Sequence, residues 1–392
     1  MSTSEFDSYV PPEFTGPRKK RRGGRDLSRD GAGERAAARR TDWLTGRGRG
    51  RGEQPVVPEP EFTSYYGHGV VKPVPWKHEI PAYLFLGGVA AGSGLLAAGA
   101  LATGNDPLRR SARFTAMVGA GLSGVALIAD LGRPERFLNM MRTFKVTSPM
   151  SMGTWIFSGF SAFAGLSTAC ELVRVLEERD LSALLGAPAA AELEAVLDDL
   201  RPVLRPVDAV AAAGLAVSAA PLAAYTAVLL SDTATPLWFE SRRHLPFVFV
   251  SSAALASGGV QMALVPVGAA APARRLALLG VVGDLVAVHR LEEHLEAEGV
   301  LGPLHSGNPG RMMRAAKALV VAGGVGALLA RRSRTAGVLG GVALAAASAL
   351  TRFAVVEGGQ ESARDPRWTV EPQRRRLEER RAGGPVGDSI TT

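Results

Sequence analysis

The chain has 392 residues, a formal net charge of +8, and an apolar content of 46%. That length allows two or three soluble domains or one polytopic membrane domain, and the positive charge points to nucleic acid or an anionic membrane surface. The single cysteine, Cys170, excludes an intrachain disulfide framework, a Cys-ligated iron–sulfur cluster and a thiolate zinc site.

Residues 1–77 are polar and Gly/Pro-rich, and carry "PRKKRRGGR" (17–25) and "GRGRGRG" (46–52). Such a tail buries too little apolar surface to offset chain entropy and is expected to be disordered. Arg-Gly repeats can bind RNA. Beside an apolar middle, the simpler role is retention in the cytoplasm and contact with acidic lipid headgroups, so nucleic acid is not the expected partner. "RRTDWL" (39–44) is not followed by an apolar segment, which argues against a twin-arginine export signal.

A spanning helix needs about 20 mostly apolar residues to cross about 30 Å of hydrocarbon. Eight segments are candidates: 80–103, 111–130, 151–172, 207–230, 245–268, 273–290, 315–330 and 335–356. They are apolar on all faces, unlike the striped helices of soluble proteins. Gly88 and Gly92 have the four-residue spacing that lets helix backbones approach in lipid. The expected fold is all-α and integral to the membrane: an eight-transmembrane-helix bundle over 78–357, with disordered polar tails at 1–77 and 358–392. Residues 176–206, "LEERDLSALLGAPAAAELEAVLDDLRPVLRP", read as an amphipathic extramembrane insert, with Pro202 and Pro206 marking its exit into the fourth span.

An even number of spans puts both termini on one side. Arg109, Arg110 and Arg113 at one face nearly balance Arg133, Arg136, Arg142 and Lys145 at the other. The basic tails then place both termini in the cytoplasm of a multi-pass plasma-membrane protein.

Parity gathers His78, Tyr83, Asp130, Tyr225, Asp284 and His289 toward the face of the termini. Asp284 lies within "LALLGVVGDLVAV" (276–288). An ionisable group at such depth is costly and is expected to face the bundle and be paired. His289, five residues on, points about 140° away and is no direct partner. Each candidate also has a structural reading. Tyr83 and Tyr225 suit interface anchors, and His78 and His289 suit solvated span ends. Asp130 suits a cap on the turn "LGRP" or a partner for Arg133. No span carries a His in its interior, so no haem is expected. There is no P-loop, dinucleotide glycine fingerprint or HExxH.

Four stretches together resemble the NrfD family, the polysulfide reductase membrane subunits. They are "PAYLFLGGVAAG" (81–92), "DLGRPERFLNMM" followed by "SPMSMGTW" (130–155), "PLAAYTAVLLSDTATPLW" (221–238) and "LPFVFVSSAALASGG" (245–259). The resemblance implies an eight-helix subunit of a respiratory oxidoreductase complex, with no haem or Fe–S cluster of its own. It implies a quinone (menaquinone-type) bound near one face, a four-cluster ferredoxin-like iron–sulfur partner, and often a molybdopterin catalytic subunit, as in anaerobic respiration. By position it points to His78, Tyr83, Asp130 and Tyr225 around the quinone. Ile80 and Tyr83 stand where some members have Asn and His. Arg133 and Arg136 can neutralise Asp130 or dock an acidic partner. Two other readings stay open: a cofactor-free proton or solute transporter, and a pure membrane scaffold.

Overall fold

The structure, a computed structural model, describes residues 70–133, 135–179 and 186–382. The chain divides into two units, Met1–Glu61 and Phe62–Thr392, and every described residue belongs to the second. The expectation for 1–69 therefore lies outside the described residues.

Nine long helices follow in order among the described residues. Helix α1 (Glu79–Thr103) has no charge after its first residue and ends at Gly104, whose φ of +68° suits only a residue without a Cβ. Helix α2 (Asp106–Asp130) starts where the Asn105 side chain accepts from the Leu108 amide. Helix α3 (Pro149–Glu177) is capped in the same way by Ser148 on Ser151. Then come α4 (Ala187–Ser231), α5 (Leu245–Leu264), α6 (Ala271–Ala297), α7 (Gly307–Leu329), α8 (Arg334–Arg364) and α9 (Arg367–Ala382). Short helices at Arg136–Met140, Pro236–Glu240 and Gly302–His305 fill the links at one end of the bundle.

Seven of these helices, α1 to α5 with α7 and α8, are long and apolar enough to cross a membrane. The expected eighth, α6, is helical and packs along α5 and α7. Its uncharged stretches are short, because Arg274 and Arg275, Asp284 and Arg290 interrupt them. It also runs on to Ala297, so Asp284 lies midway along the helix rather than near its end.

Two further expectations are corrected. From residue 187 on, the insert and the fourth span form one continuous 45-residue helix, with Pro202, Pro206 and Pro221 inside it, while residues 180–185 of the insert lie outside the described residues. At 1.5 Å per residue α4 is roughly 68 Å long, over twice the thickness of the hydrocarbon layer. The prolines therefore mark no break. The C-terminal segment from 358 also does not begin as a tail: α8 continues to Arg364 and α9 follows. Trp238, which donates from Nε1 to the Val355 carbonyl at 2.8 Å, is fully buried. A Cβ on Gly359 would lie 2.0 Å from that ring, so the two residues are matched in shape.

Helix α1 sits centrally against α2, α4, α5 and α8. Helices α5 and α8 touch through backbone, since a Cβ on Gly341 would fall 2.2 Å from the Gly259 carbonyl oxygen. Gly341→Ala is expected to destabilise the protein by about 1–3 kcal/mol through overpacking, which thermal unfolding in detergent would measure.

Candidate functional site

Four helix ends enclose one cavity. The start of α1 supplies Ile80, Tyr83 and Leu84, with Trp76 just before it. The end of α2 supplies Leu127 and Asp130, and Leu131 follows. The start of α3 supplies Met150 and Thr154, and the last turns of α4 supply Tyr225, Thr226, Leu229 and Leu230. Met140 of the short helix Arg136–Met140 closes one side. The open volume is about 80 Å³, less than a bicyclic ring requires. The two methionines, unbranched and easily repacked, are the side chains that can give way.

Local sequence explains how each polar group comes to the cavity. Asp130 is the last residue of α2, and the chain turns sharply at Gly132, whose φ is +64°. Asp130 forms no ion pair with Arg133 or any other described residue. Tyr83 is buried with its ring edge-on to Phe157, 6.0 Å between centroids. Ser123 of α2 donates to the Tyr83 carbonyl at 3.0 Å and fixes the register of α1 on α2. Tyr225 lies over Gly153, where a Cβ would come within 2.3 Å of its ring. The glycine in "SPMSMGTW" therefore makes the space in which the ring sits.

The other sequence candidates go elsewhere. His78 stacks at 6.1 Å on Phe353 and lines a separate cleft with Lys77, Glu357, Gln360 and Arg364. His289 is exposed and pairs with Glu293 at 3.2 Å. Asp284 is buried, with its Oδ1 lacking a hydrogen-bond partner among the described residues. Arg352 of α8 is the opposite charge acting on it, though the two make no direct ion pair. Arg352 donates to the Phe249 carbonyl at 2.7 Å, and its guanidinium lies 3.6 Å above the Phe249 ring. Its Nε and Nη1 have no hydrogen-bond partner among the described residues. Asp284 and Arg352 are thus two buried opposite charges that influence each other without direct contact. Arg133 is exposed, and the side chain of Arg136 lies outside the described residues.

Sequence reading missed Thr154 and the two methionines in the cavity wall, and Glu79 near it. Glu79 Oε2 is buried without a hydrogen-bond partner among the described residues. Glu79 opens α1 one turn before Tyr83, and that spacing was the available signal. It also missed an ion network at the opposite end of the bundle. Arg113 of α2 bridges Glu171 of α3 at 3.0 Å and Asp208 of α4 at 2.6 Å. Arg109 adds a contact to Glu171 at 2.8 Å, and Arg174 one to Asp208 at 2.6 Å. Arg113, Glu171 and Asp208 are all buried.

A protein-family model described as "Polysulphide reductase, NrfD" matches residues 68–275. That match covers α1 to α5, the loops between them and the first residues of α6, and so includes every wall of the cavity. No curated protein matches the chain.

Proposed function

The chain belongs to the NrfD (polysulphide reductase) family, and on that premise we propose that it exchanges electrons between a partner iron–sulfur protein and a membrane quinone in the cavity of Tyr83, Asp130 and Tyr225. Family membership makes it a multi-pass membrane subunit of a respiratory oxidoreductase complex. Members associate with iron–sulfur and molybdopterin subunits. The proposed partners here are a four-cluster ferredoxin-like protein and a molybdopterin catalytic subunit. The proposed quinone is of the menaquinone type.

One observation carries the reading. Asp130, Tyr83 and Tyr225, from three helices, line one largely apolar cavity at one end of the bundle. Apolar walls suit a ring and its isoprenoid chain, and a few convergent polar groups suit the two carbonyls. Reducing a quinone takes two electrons and two protons. The partner's clusters supply those electrons, or accept them when the same steps run in reverse on a quinol. Asp130 passes protons to a carbonyl oxygen from the water side, and the Tyr83 and Tyr225 hydroxyls orient the ring by hydrogen bonding. The chain itself is proposed to hold neither haem nor an Fe–S cluster. Helix α6 is proposed as the eighth span, tolerated because α5 and α7 cover it. Both termini, and with them the cavity, are proposed to face the cytoplasm, as the basic N-terminal tail suggests.

Asp130→Asn is expected to leave the complex assembled and to lower quinol turnover by at least about 100-fold, at the low end of what a general acid–base contributes. Turnover measured in membranes with a soluble menaquinol analogue checks this, and an unchanged rate would reduce Asp130 to a helix-end residue. A second reading, a proton or solute transporter, draws on the buried Asp284 and Arg352. Purification followed by an iron assay separates the two, since a chain that never copurifies with an iron protein favours transport.

A further inference from the structure

A second polar cluster lies away from the cavity, where the link between α4 and α5 meets the end of α6. Glu240 closes the short helix Pro236–Glu240 and is buried. His294 lies in the last turn of α6 and Glu298, four residues on, caps it with near-helical backbone, so both project from one side of that helix. One ligand atom from each of the three falls within 4.8 Å of the others. His244, four residues beyond Glu240, places its ring 5.1 Å from that of His294. The sequence thus brings together two carboxylate–imidazole pairs, "ESRRH" (240–244) and "HLEAE" (294–298).

A buried carboxylate needs a cation. Here the Arg376 guanidinium of α9 serves both acids, at 2.9 Å from Glu240 Oε1 and 3.5 Å from Glu298 Oε2. Arg242 touches the other Glu240 oxygen at 3.2 Å, and Arg375 lies 3.7 Å from Glu298. None of these arginines uses the imidazoles, and a guanidinium has no lone pair to offer them. A metal ion would take both kinds of donor.

We propose that Glu240, His294 and Glu298, with His244 as fourth donor, form a divalent transition-metal site in which the metal and Arg376 compete for the same two carboxylates. Nitrogen and oxygen donors at about 2.0–2.2 Å are the zinc-type preference. Around such an ion, tetrahedral donors stand roughly 3.4 Å apart, so the present cluster closes onto the metal by side-chain rotation. Arg376 must then leave, and the part of α9 beyond Pro372 loses its main ionic tether. Trp368, packed where a Cβ on Gly302 would lie 2.1 Å from its ring, still holds the start of α9. Metal occupancy is thereby coupled to release of a basic segment at the end of the bundle where the cavity opens.

The test uses the full chain without a histidine tag, in lipid nanodiscs, with zinc chloride as the probe. Wild type is expected to retain about one zinc per chain, and His294→Gln to retain far less. Hydrogen exchange in 373–382 is expected to rise with zinc. Arg376→Ala keeps every donor and removes the competitor, so zinc should bind about fivefold more tightly, the effect of losing one partly exposed ion pair. Equal retention by wild type and His294→Gln overturns the site. Unchanged zinc affinity in Arg376→Ala, or unchanged exchange in 373–382, overturns the competition.

Discussion

Gly153→Ala is expected to lower quinol turnover by about 100-fold while the complex still assembles. The added Cβ would lie 2.3 Å from Tyr225 Cε2 and 2.5 Å from Cδ2. Carbon atoms do not approach so closely, so the ring must swing away by about an ångström or more, and a shift of that size costs roughly two decades in rate at a positioned site. The overpacking itself costs about 1–3 kcal/mol, which a bundle of this size can absorb. Tyr225→Phe separates the two contributions, because it removes the hydroxyl and leaves the ring in place. If Gly153→Ala turns over quinol at the wild-type rate, Tyr225 does not position the substrate.

Arg113→Ala should destabilise the protein by about 3–5 kcal/mol, the usual consequence of removing one member of a buried ion pair. The guanidinium holds Glu171 at 3.0 Å and Asp208 at 2.6 Å, with all three side chains at most 2% exposed. Without it, Glu171 keeps Arg109 and Asp208 keeps Arg174, so the carboxylates stay partly compensated while the junction of α2, α3 and α4 loses its centre. Arg113→Lys is expected to be milder but not neutral, because a compact ammonium cannot span two carboxylates as a planar fork does. Thermal unfolding of the detergent-solubilised protein reads both variants. A midpoint unchanged in Arg113→Ala would show the network to be dispensable.

The positions of Tyr83, Asp130 and Tyr225 were legible because each lies near a span end, and parity alone decides which ends share a side. The route of His78 was not legible. It precedes α1 by one residue, and its direction depends on where Phe353 of α8 passes. Asp284 was recognised as buried because the residues around it are apolar. Its counterpart Arg352 lies near the end of the expected eighth span, 335–356, and a linear sequence does not show that α8 extends to Arg364. The network of Arg113, Glu171 and Asp208 was missed for a similar reason. Glu171 sits where the apolar run thins, and only its neighbours on two other helices take it out of solvent. The length of α6 was underestimated because "HRLEEHLEA" (289–297) is polar, and a hydropathy argument stops where the lipid stops while a helix need not.

Pro221 lies four residues before Tyr225 inside α4. Having no amide hydrogen, it leaves the carbonyl of Val217 without its usual helical donor and crowds it. Val217 is 77% exposed, on a surface where lipid offers no replacement. The helix is softened there, which allows the stretch bearing Tyr225 to bend as a hinged arm rather than follow the rest of the rod. The ring's location is then governed by what it rests on at Gly153, so an occupant of the cavity can tilt that arm without disturbing the far half of α4.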